Sequence, residues 1–356
     1  MTPAARHAAA IDVLDVILAG TAAEKALTNW ARGNRYAGSG DRNAVRDIVF
    51  DVMRCKRSFA CLGGAETGRG LVLGALRAAG ISPENLFTGE GYAPSKLTVD
   101  ELTGGRHPSG NAALDCPEWL APEMRQSLGQ DFEAVMLLLQ RRAPVFVRVN
   151  RRKATPAEVI AALGAEGIAA QPAALSETAL EVTRNPRKIQ VSKPFQSGMI
   201  ELQDAASQAV INRLPLCDGQ RVLDYCAGGG GKTLAMAGRV QAQFFAHDIA
   251  PERMNDLSKR ALRAGVQVET LTTAALAQTA PFDLVLADAP CSGSGSWRRA
   301  PEAKWALTED RLTDLRRIQA EILDRASNVV AKTGSFAYAT CSLLRAENED
   351  LVKGFL

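Results

Sequence analysis

One stretch organises this chain: Arg221-Val-Leu-Asp-Tyr-Cys-Ala-Gly-Gly-Gly-Gly-Lys-Thr233. A short apolar run, Val222-Leu223, ends in the acid Asp224, a glycine turn follows, and a helix is predicted to begin at Lys232. Glycines adopt a positive φ without strain and let the backbone come close to a bulky ligand. The order strand, glycine loop, helix therefore predicts the first unit of a nucleotide-binding parallel sheet.

Two phosphate-binding motifs do not fit this loop. A P-loop needs a glycine six residues before the lysine of Gly-Lys-Thr, and Cys226 stands at that position. The dinucleotide pattern G-x-G-x-x-G also fails, because Thr233 stands where its third glycine belongs. What remains suits an adenosine-bearing ligand without a pyrophosphate, such as S-adenosylmethionine. Any tight turn between a strand and a helix is the plain alternative.

A second acid supports the adenosine-bearing ligand. Residues 243–246 predict another buried strand, which His247 and Asp248 close. Asp248 follows Asp224 by 24 residues (248 − 224), near the ~20-residue spacing of acids that bind ribose hydroxyls. We therefore expect Asp248 to contact the ribose of the ligand.

The composition of the chain limits its class. Its 356 residues are enough for two or three domains of ~100–200 residues each. No apolar run reaches the ~18 residues of a membrane span, and Asp12 and Asp15 interrupt the N-terminal pattern, which argues against a signal peptide. The seven cysteines are scattered without a C-x-x-C pair, which argues against a disulfide scaffold or a zinc site. We expect a cytoplasmic monomer with no membrane segment and no metal.

The chain is predicted to contain four regions. Residues 1–80 have the pattern of an all-α domain, and residues 81–116 are a linker rich in Gly, Pro and Ser. Residues 117–202 predict a small α+β module. Residues 203–356 predict an α/β domain, because strands and helices alternate there.

Local patterns in the first three regions predict particular elements. Asp41 is expected to cap a helix whose apolar stripe consists of Val45, Ile48, Val49, Val52 and Met53. Thr155 begins a capping box, and Pro156 suits the first helical position after it. In the α+β module, strands are predicted at 144–149, 179–182 and 199–202.

The last region predicts a doubly wound parallel sheet of the class I (Rossmann-like) methyltransferase type, with ligands at the carboxyl ends of its strands. The predicted strands are 221–224, 244–248, 266–271, 282–288 and 335–340, and the longest predicted helix is 308–330. The sequence stops just inside the helix after the fifth strand, whereas sheets of this class usually have two more strands. The C-terminal strands are therefore expected to be absent.

Two stretches of the α+β module are basic and contain no acid. Residues 141–153 include six basic residues, and residues 182–200 include four. A solvated face is the usual meaning of basic residues, but two such stretches in one small module favour a surface for a polyanion. The candidate contacts are Arg148, Arg151, Arg152, Lys153, Arg187 and Lys188.

Two cysteines stand out because each follows a predicted strand at its carboxyl end. Cys291 lies in Asp288-Ala-Pro-Cys-Ser-Gly-Ser-Gly295, and Cys341 lies in Thr340-Cys-Ser342. A lone cysteine is more often a small core residue than a nucleophile. Two cysteines at adjacent strand ends, each before a small polar turn, favour catalysis instead.

Methylation of cytosine at carbon 5 needs such an arrangement. A thiolate that adds to carbon 6 makes carbon 5 nucleophilic enough to accept a methyl group. Asp288 could stabilise this adduct near the ring nitrogen and the exocyclic amine of the base, and a second thiol could assist its breakdown. Lys232 and the helix N-terminus after Cys341 would favour the thiolate.

At these residues the chain resembles the RNA (cytosine-5) methyltransferases of the Sun/RsmB type. The matching motifs are Asp-Tyr-Cys-Ala-Gly-Gly-Gly-Gly-Lys-Thr (224–233), Asp-Ala-Pro-Cys-Ser-Gly-Ser-Gly (288–295), Thr-Cys-Ser with Glu-Asn-Glu (340–349) and Gln-Asp-Ala-Ala-Ser (203–207). The pairing of the two cysteine motifs is highly specific. The resemblance covers residues 117–356 well, and the N-terminal helices resemble, more weakly, the NusB-like RNA-binding domain of the bacterial ribosomal members.

The resemblance implies S-adenosylmethionine as methyl donor and RNA, most often ribosomal RNA, as substrate. It assigns the covalent attack to Cys341 and product release to Cys291, and it places Asp288 and Lys232 at the target base and the cofactor. The cofactor-binding residues that it implies are Asp224, Cys226, Ala227, Gly228, Gly229, Gly230, Gly231, Lys232, Asp248 and Asp288.

The chain departs from the pattern of these enzymes at two places. Gly229 stands where they usually have proline, which leaves the loop more flexible. Thr272 and Thr273 stand where an acid usually reaches the adenine, so the contact to the adenine is open.

Two other functions are compatible with parts of the sequence. A methyltransferase that acts on a protein or a small molecule would explain the glycine loop and Asp248 but would leave the two cysteines without a role. A non-catalytic RNA-binding factor would explain the basic stretches, and the presence of Cys291 and Cys341 argues against it. A covalent adduct with RNA that carries a modified cytosine would distinguish the first prediction from both.

Overall fold

The computed structural model describes residues 1–356 and divides into two compact units. Unit 1 consists of Met1–Ala143, Ser292–Thr313 and Cys341–Arg345. Unit 2 consists of Pro144–Cys291, Asp314–Thr340 and Ala346–Leu356. The helical residues 117–143, predicted to belong to the α+β module, thus group with the N-terminal helices. None of the helices is both long and apolar enough to cross a membrane.

Unit 1 is built mainly from nine helices. They are α1 (Pro3–Leu18), α2 (Ala23–Gly33), α3 (Ser39–Arg54), α4 (Lys56–Gly63), α5 (Gly68–Ala78), α6 (Val99–Thr103), α7 (Gly110–Ala113), α8 (Ala121–Leu128) and α9 (Phe132–Leu139). The stripe predicted on α3 lies in the core, where Val45, Val49 and Met53 are buried beside Leu14 of α1 and Leu71 of α5. Helical periodicity therefore identified the buried face of α3 correctly.

The prediction that Asp41 caps α3 is wrong. The N-cap is Gly38, and Asp41 lies inside the first turn of the helix. Its Oδ1 accepts hydrogen bonds from Arg6 Nε at 2.9 Å and from the amino group of Met1 at 3.2 Å. An acid in the first turn is favoured by the helix dipole, and here it also holds the chain's N-terminus.

A buried acid joins α4 to the end of α9. Asp115 is fully buried, and its Oδ1 accepts from the backbone N–H groups of Arg57 at 2.8 Å and Ser58 at 3.0 Å. Its Oδ2 accepts from the Ser58 hydroxyl and from Gln140 Nε2, both at 2.8 Å. Asp115 thereby satisfies two backbone donors at the start of α4 that have no partner within the helix.

The first sheet of unit 2 has four strands in the order β2-β3-β1-β4, and every pair is antiparallel. The strands are β1 (Val145–Val149), β2 (Ala169–Pro172), β3 (Ala179–Arg184) and β4 (Ile200–Leu202), with helices α10 (Pro156–Ala165) and α11 (Lys193–Gln196). The capping box of Thr155 is confirmed at the start of α10. Strand β2 was not predicted, because its alanines and proline carry little strand preference.

The second sheet has five parallel strands in the order β7-β6-β5-β8-β9. Its strands are β5 (Arg221–Asp224), β6 (Gln243–His247), β7 (Glu269–Leu271), β8 (Phe282–Asp288) and β9 (Val330–Ala339). The helices from Gln203 onward are α12 (Ala205–Asn212), α13 (Gly231–Ala237), α14 (Leu257–Ala264), α15 (Thr273–Thr279), α16 (Pro301–Ala306), α17 (Glu309–Ser327) and α18 (Glu349–Phe355). Of these, α16 belongs to unit 1. The strand order reverses beside β5, and ligands bind at such a switch point in doubly wound sheets.

Two strand boundaries of this sheet differ from the prediction by three residues or more. The third strand of this sheet begins at Glu269 and not at Val266, because Val266 completes the C-terminal cap of α14. Gly265 ends that helix in the left-handed region at φ +73°, and the Val266 N–H donates to Ala261 O at 3.0 Å. The last strand begins at Val330, where the prediction had helix, and its register against β8 shifts between Phe282 and Leu284.

Candidate functional site

The glycine loop lies at the carboxyl end of β5, and backbone hydrogen bonds join it to both neighbouring strands. Tyr225 N donates to Leu286 O at 2.8 Å, and Ala227 N donates to His247 O at 2.9 Å. Gly230 has a φ of +76°, and a Cβ there would lie 2.2 Å from Leu257 Cδ1. A side chain at this position would therefore be strained and would clash with α14.

Asp248 follows β6 and is almost completely buried. Its Oδ2 accepts from the Gly228 N–H at 2.9 Å, and its Oδ1 accepts from the Ala250 N–H at 3.0 Å. The exposed Arg253 pairs with it, with 3.0 Å between Nη1 and Oδ2. Asp248 thus holds the glycine loop against the end of β6, and its contact to a ribose stays a prediction.

Two arginines that the sequence analysis missed lie against the glycine loop. Arg260 of α14 donates through Nη1 to Gly229 O. A Cβ on Gly228 would lie 3.1 Å from Arg253 Nη2. Both arginines belong to the segment that crosses from β6 to β7, and no motif marks them, because only packing brings that segment over the loop.

Asp224 is a fully buried acid with one unpaired oxygen. Its Oδ2 accepts from the Thr233 hydroxyl at 2.7 Å, while its Oδ1 is buried without a hydrogen-bond partner. Burial, with a smaller contribution from the charge of Asp288, raises the pKa of this carboxyl to about 7, against the opposing effect of Thr233 and Lys232. Asp224 therefore has a buried acceptor without a donor, and it lies beside a glycine loop whose backbone can come close to a ligand. This arrangement fits a ligand that brings a cation or an N–H group.

Lys232, in the first turn of α13, forms an ion pair with Asp288 at the end of β8, with 2.6 Å between Nζ and Oδ2. Their side chains are 17% and 30% exposed, so both can still reach a ligand. The structure therefore brings together two of the four residues predicted for catalysis. Cys226 lies close by, and burial, with the charge of Asp224 next in effect, raises the pKa of its thiol to about 12, so it stays protonated at neutral pH.

The segments that follow the two cysteines are joined by hydrogen bonds within unit 1. The hydroxyl of Ser342 lies 3.2 Å from those of both Ser292 and Ser294. The Gly295 N–H donates to Cys341 O at 2.8 Å, and a Cβ on Gly295 would lie 2.6 Å from that oxygen. The Cys341 side chain is exposed. The residues directly after Cys291 and Cys341 are thus held together, as expected for loops that follow neighbouring strands.

Gln319 of α17 supports the segment just before Cys291. Its Nε2 donates to Pro290 O and to Glu347 Oε1, both at 2.9 Å. Glu347 is fully buried and begins the Glu-Asn-Glu motif, and Asn348 of that motif accepts from the Thr340 hydroxyl at 2.6 Å. The motif therefore braces the ends of β8 and β9, and only the fold shows that Gln319 belongs to this network.

The end of β7 carries threonines that bind within the protein. Thr272 caps α15 by accepting from the Ala275 N–H. The Thr273 hydroxyl lies 3.0 Å from His247 Nε2, and His247 Nδ1 lies 2.8 Å from Tyr225 O. Because a carbonyl only accepts, Nδ1 carries the proton in the neutral ring and Nε2 accepts from Thr273.

The basic residues of the α+β module are used in two different ways. Arg148 was expected on the surface but is buried, and its Nη1 donates to Gln203 Oε1 at 2.5 Å and to Gly231 O at 2.8 Å. Arg152 Nε donates to Ala237 O, and Lys153 Nζ donates to Ser197 O. These three cations bind carbonyl groups inside unit 2. Arg148 is the buried one of the six candidates, and Arg151, Arg152, Lys153, Arg187 and Lys188 are exposed.

The five-stranded parallel sheet, with a glycine loop and an acid at its switch point, is a Rossmann-like methyltransferase fold. Residues 211–356 match the family model of the 16S rRNA methyltransferase RsmB/F. Residues 116–190 match the ferredoxin-like domain of RsmF/B-like methyltransferases. Over these residues the chain belongs to the RsmB/F methyltransferase family.

Individual relatives agree with this assignment. The ribosomal RNA small subunit methyltransferase B of Photorhabdus laumondii is 31% identical over 246 residues, which cover 67% of this chain and 57% of the relative. The chain thus spans a little over half the length of that relative. The crystal structure of PH0851 matches with a TM-score of 0.77 and 23% identity over 100% of this chain and 89% of that one. NSun6 from Pyrococcus horikoshii, crystallised with the S-adenosylmethionine analogue SFG, matches with a TM-score of 0.60 and 18% identity over 67% and 86%.

Proposed function

We propose that this chain transfers a methyl group from S-adenosylmethionine to carbon 5 of a cytosine in RNA, with ribosomal RNA as the substrate, through a covalent adduct with Cys341. The observation that carries the proposal is the pair of cysteine segments after β8 and β9. These strands are hydrogen-bonded neighbours, and the Lys232–Asp288 pair lies at the end of β8. Membership of the RsmB/F family supports the choice of ribosomal RNA.

The glycine loop and the acids around it would hold the cofactor, which supplies the methyl group when bound. The residues are those predicted from the resemblance, from Asp224 and Cys226 through Gly228–Gly231 to Lys232, together with Asp248 and Asp288. The buried Oδ1 of Asp224 offers an acceptor to a cationic ligand. The SFG bound to the NSun6 relative supports the same class of ligand.

The cysteines would act in sequence on the base. The thiolate of Cys341 adds to carbon 6, and the electron pair of the carbon 5–carbon 6 double bond becomes available at carbon 5. Carbon 5 then takes the methyl group as the methyl–sulfur bond breaks, which leaves S-adenosylhomocysteine. Cys291 would assist the elimination by accepting the carbon 5 proton, and the Cys341 thiolate is expelled as the carbon 5–carbon 6 double bond forms again. Asp288 would bind the ring nitrogen and amine of the base. The base must be unpaired or flipped out to reach the exposed Cys341.

The surface for RNA would lie on the exposed cations. Arg151, Arg152, Lys153, Arg187 and Lys188 are exposed and remain candidates for phosphate contacts. The N-terminal helices would serve as a NusB-like RNA-binding domain.

RNA that carries 5-fluorocytosine tests the proposal. Fluorine cannot leave carbon 5 as a proton does, so the wild-type protein should remain covalently bound to the RNA under denaturing electrophoresis when S-adenosylmethionine is present. Cys341→Ala should form no adduct and transfer no methyl group. Cys291→Ala should accumulate an adduct with ordinary RNA, because elimination is slowed. Cys217→Ala is the matched control, since this exposed cysteine precedes β5 and should leave both reactions unchanged.

Two outcomes would contradict the proposal. An adduct in Cys341→Ala with none in Cys291→Ala would reverse the two roles. Methyl transfer that is unchanged in both variants would rule out the covalent mechanism for this chain.

A further inference from the structure

A polar cavity of about 310 Å³ lies within unit 2 and is separate from the site described above. Its wall is formed by the end of β1, the turn before β3, α12, and α13 with the residues after it. None of the glycine-loop residues, acids or cysteines assigned above lines it. Its volume is at the lower end of the range for small-molecule sites, which is roughly 300–1,000 Å³.

The charged groups of the cavity are mostly cationic. Arg151 is exposed and forms no hydrogen bond or ion pair. Arg239 donates from Nη1 to Ile211 O and has no acidic partner. Burial lowers the pKa of Arg148 to about 10, so this lining residue is still charged at neutral pH. Glu177 is the single acid of the lining, so the cavity favours an anion.

Neutral amides complete the polar lining. Gln208 is buried, accepts from the Thr178 hydroxyl at 2.8 Å, and donates to Gln203 O at 3.1 Å. Asn212 Nδ2 donates to Ser176 Oγ at 2.8 Å. A carboxamide has two N–H groups and one oxygen, so Gln208 keeps one N–H group and Asn212 keeps its oxygen for another partner. Such a donor and acceptor match the edge of a nucleobase.

We propose that this cavity binds one unpaired nucleotide of the RNA substrate, close to the target cytosine. The phosphate would lie on Arg151 and Arg239, and the base would bind Gln208 and Asn212. The lining does not suit an apolar ligand, and one carboxylate is too few for a hard divalent cation. The identity of the ligand as RNA rests on the proposed function.

The position of the cavity fits a neighbour of the target base. Helix α13 begins at Gly231 of the glycine loop, and its Leu234 and Ala235 line the cavity. At 1.5 Å per residue, its seven residues span roughly 10 Å. The nucleotide would therefore lie within about one short helix of the proposed cofactor site.

The double variant Arg151→Ala/Arg239→Ala tests the proposal. We expect its affinity for single-stranded substrate RNA to fall at least tenfold, with S-adenosylhomocysteine affinity unchanged as evidence of an intact fold. The matched control is Arg316→Ala/Lys332→Ala, which removes two exposed cations that do not line the cavity. It should change RNA affinity by less than twofold. Equal losses in the two double variants would show general electrostatic attraction and would overturn the proposal.

A second measurement uses cytidine 5′-monophosphate and inorganic phosphate as probes. The nucleotide should bind the wild-type protein saturably, should not bind the Arg151→Ala/Arg239→Ala variant, and should resist displacement by equimolar phosphate. Phosphate that competes as well as the nucleotide would indicate a simple anion site and would overturn the proposal.

The cavity and the proposed function can fail separately. If the wild-type protein forms no adduct with 5-fluorocytosine RNA but the cavity variant loses RNA affinity, the cavity proposal stands and the methyl transfer does not. If the adduct forms and the cavity variant binds RNA like the wild-type protein, the methyl transfer stands and the cavity proposal is wrong.

Discussion

The titration of Asp224 gives a quantitative test of the proposed cofactor site. The groups that act on this carboxyl are the Thr233 hydroxyl and the charges of Lys232 and Asp288, and its pKa is raised to about 7, mainly by burial. With a pKa of about 7, roughly a tenth of the carboxyl is ionised at pH 6 and roughly nine tenths at pH 8. A cationic ligand that binds the orphan Oδ1 would favour the ionised form.

The affinity for S-adenosylmethionine should therefore rise about tenfold between pH 6 and pH 8, which corresponds to ~1.4 kcal/mol. Asp224→Asn keeps the shape of the side chain and an oxygen for Thr233, but it does not titrate. This variant should lose the rise that belongs to Asp224. The α-amino group of the ligand also titrates near pH 8, so the quantity to compare is the difference between the two pH profiles.

Isothermal titration calorimetry at pH 6, 7 and 8 measures this difference. Repeating the titrations in buffers with different ionisation enthalpies counts the protons released, and the wild-type protein should release more than the variant below pH 7. Asp310→Asn, which removes an exposed acid of α17, is the control and should follow the wild-type profile. Identical profiles for the wild-type protein and Asp224→Asn would refute the reasoning.

The stability of the ligand-free protein should show the same titration. The pKa of Asp224 is higher in the folded than in the unfolded state, so the folded state binds more protons between pH 4 and pH 7. The free energy of unfolding should therefore fall as the pH rises through this range, by roughly 4 kcal/mol for a shift from 3.8 to about 7. Asp224→Asn should lack this fall in urea denaturation.

Two further predictions concern stability. Gly230→Ala should lower the free energy of unfolding by ~2–4 kcal/mol, because alanine is strained at this positive φ and its Cβ clashes with Leu257. The control Gly219→Ala has a φ of +82° and nothing within 4 Å of its Cβ, so it should lower the free energy of unfolding by only ~1–2 kcal/mol. Equal urea midpoints for the two variants would contradict the clash. Asp115→Ala should lower the free energy of unfolding by ~1–3 kcal/mol, because it leaves the buried Ser58 N–H without a partner. The exposed Asp131→Ala should stay within ~0.5 kcal/mol, and an equal loss in both variants would show that the Asp115 hydrogen bonds contribute little.

Local patterns were enough to predict several elements. The stripe on α3 and the capping box of Thr155 depend on side chains within a few turns of one helix, so periodicity and capping chemistry identify them. The order strand, glycine loop, helix also depends on consecutive residues, and the structure has it as β5 and α13. The wrong prediction that Asp41 caps α3 shows where local patterns fail, because Asp41 instead accepts a hydrogen bond from Arg6, which is distant in sequence.

The residue types of the candidate site were likewise visible in the sequence. Asp224 and Asp288 end predicted strands, and Lys232 begins the helix predicted after the first of them. In a parallel sheet the carboxyl ends of the strands meet at one edge. The ion pair between Lys232 and Asp288 follows from that geometry.

Only the tertiary structure determines which charged side chains are buried and which groups they bind. Arg148 and Arg151 are three residues apart in one basic stretch, yet the first is buried against Gly231 and the second is exposed at a cavity. The raised pKa of Asp224 likewise comes from the surroundings that the fold places around it. The sequence determines which residues are neighbours along the chain, whereas burial, hydrogen-bond partners and cavities arise when distant segments pack together. The free energy of a charged side chain depends on those surroundings, so its pKa and its partners follow from the fold.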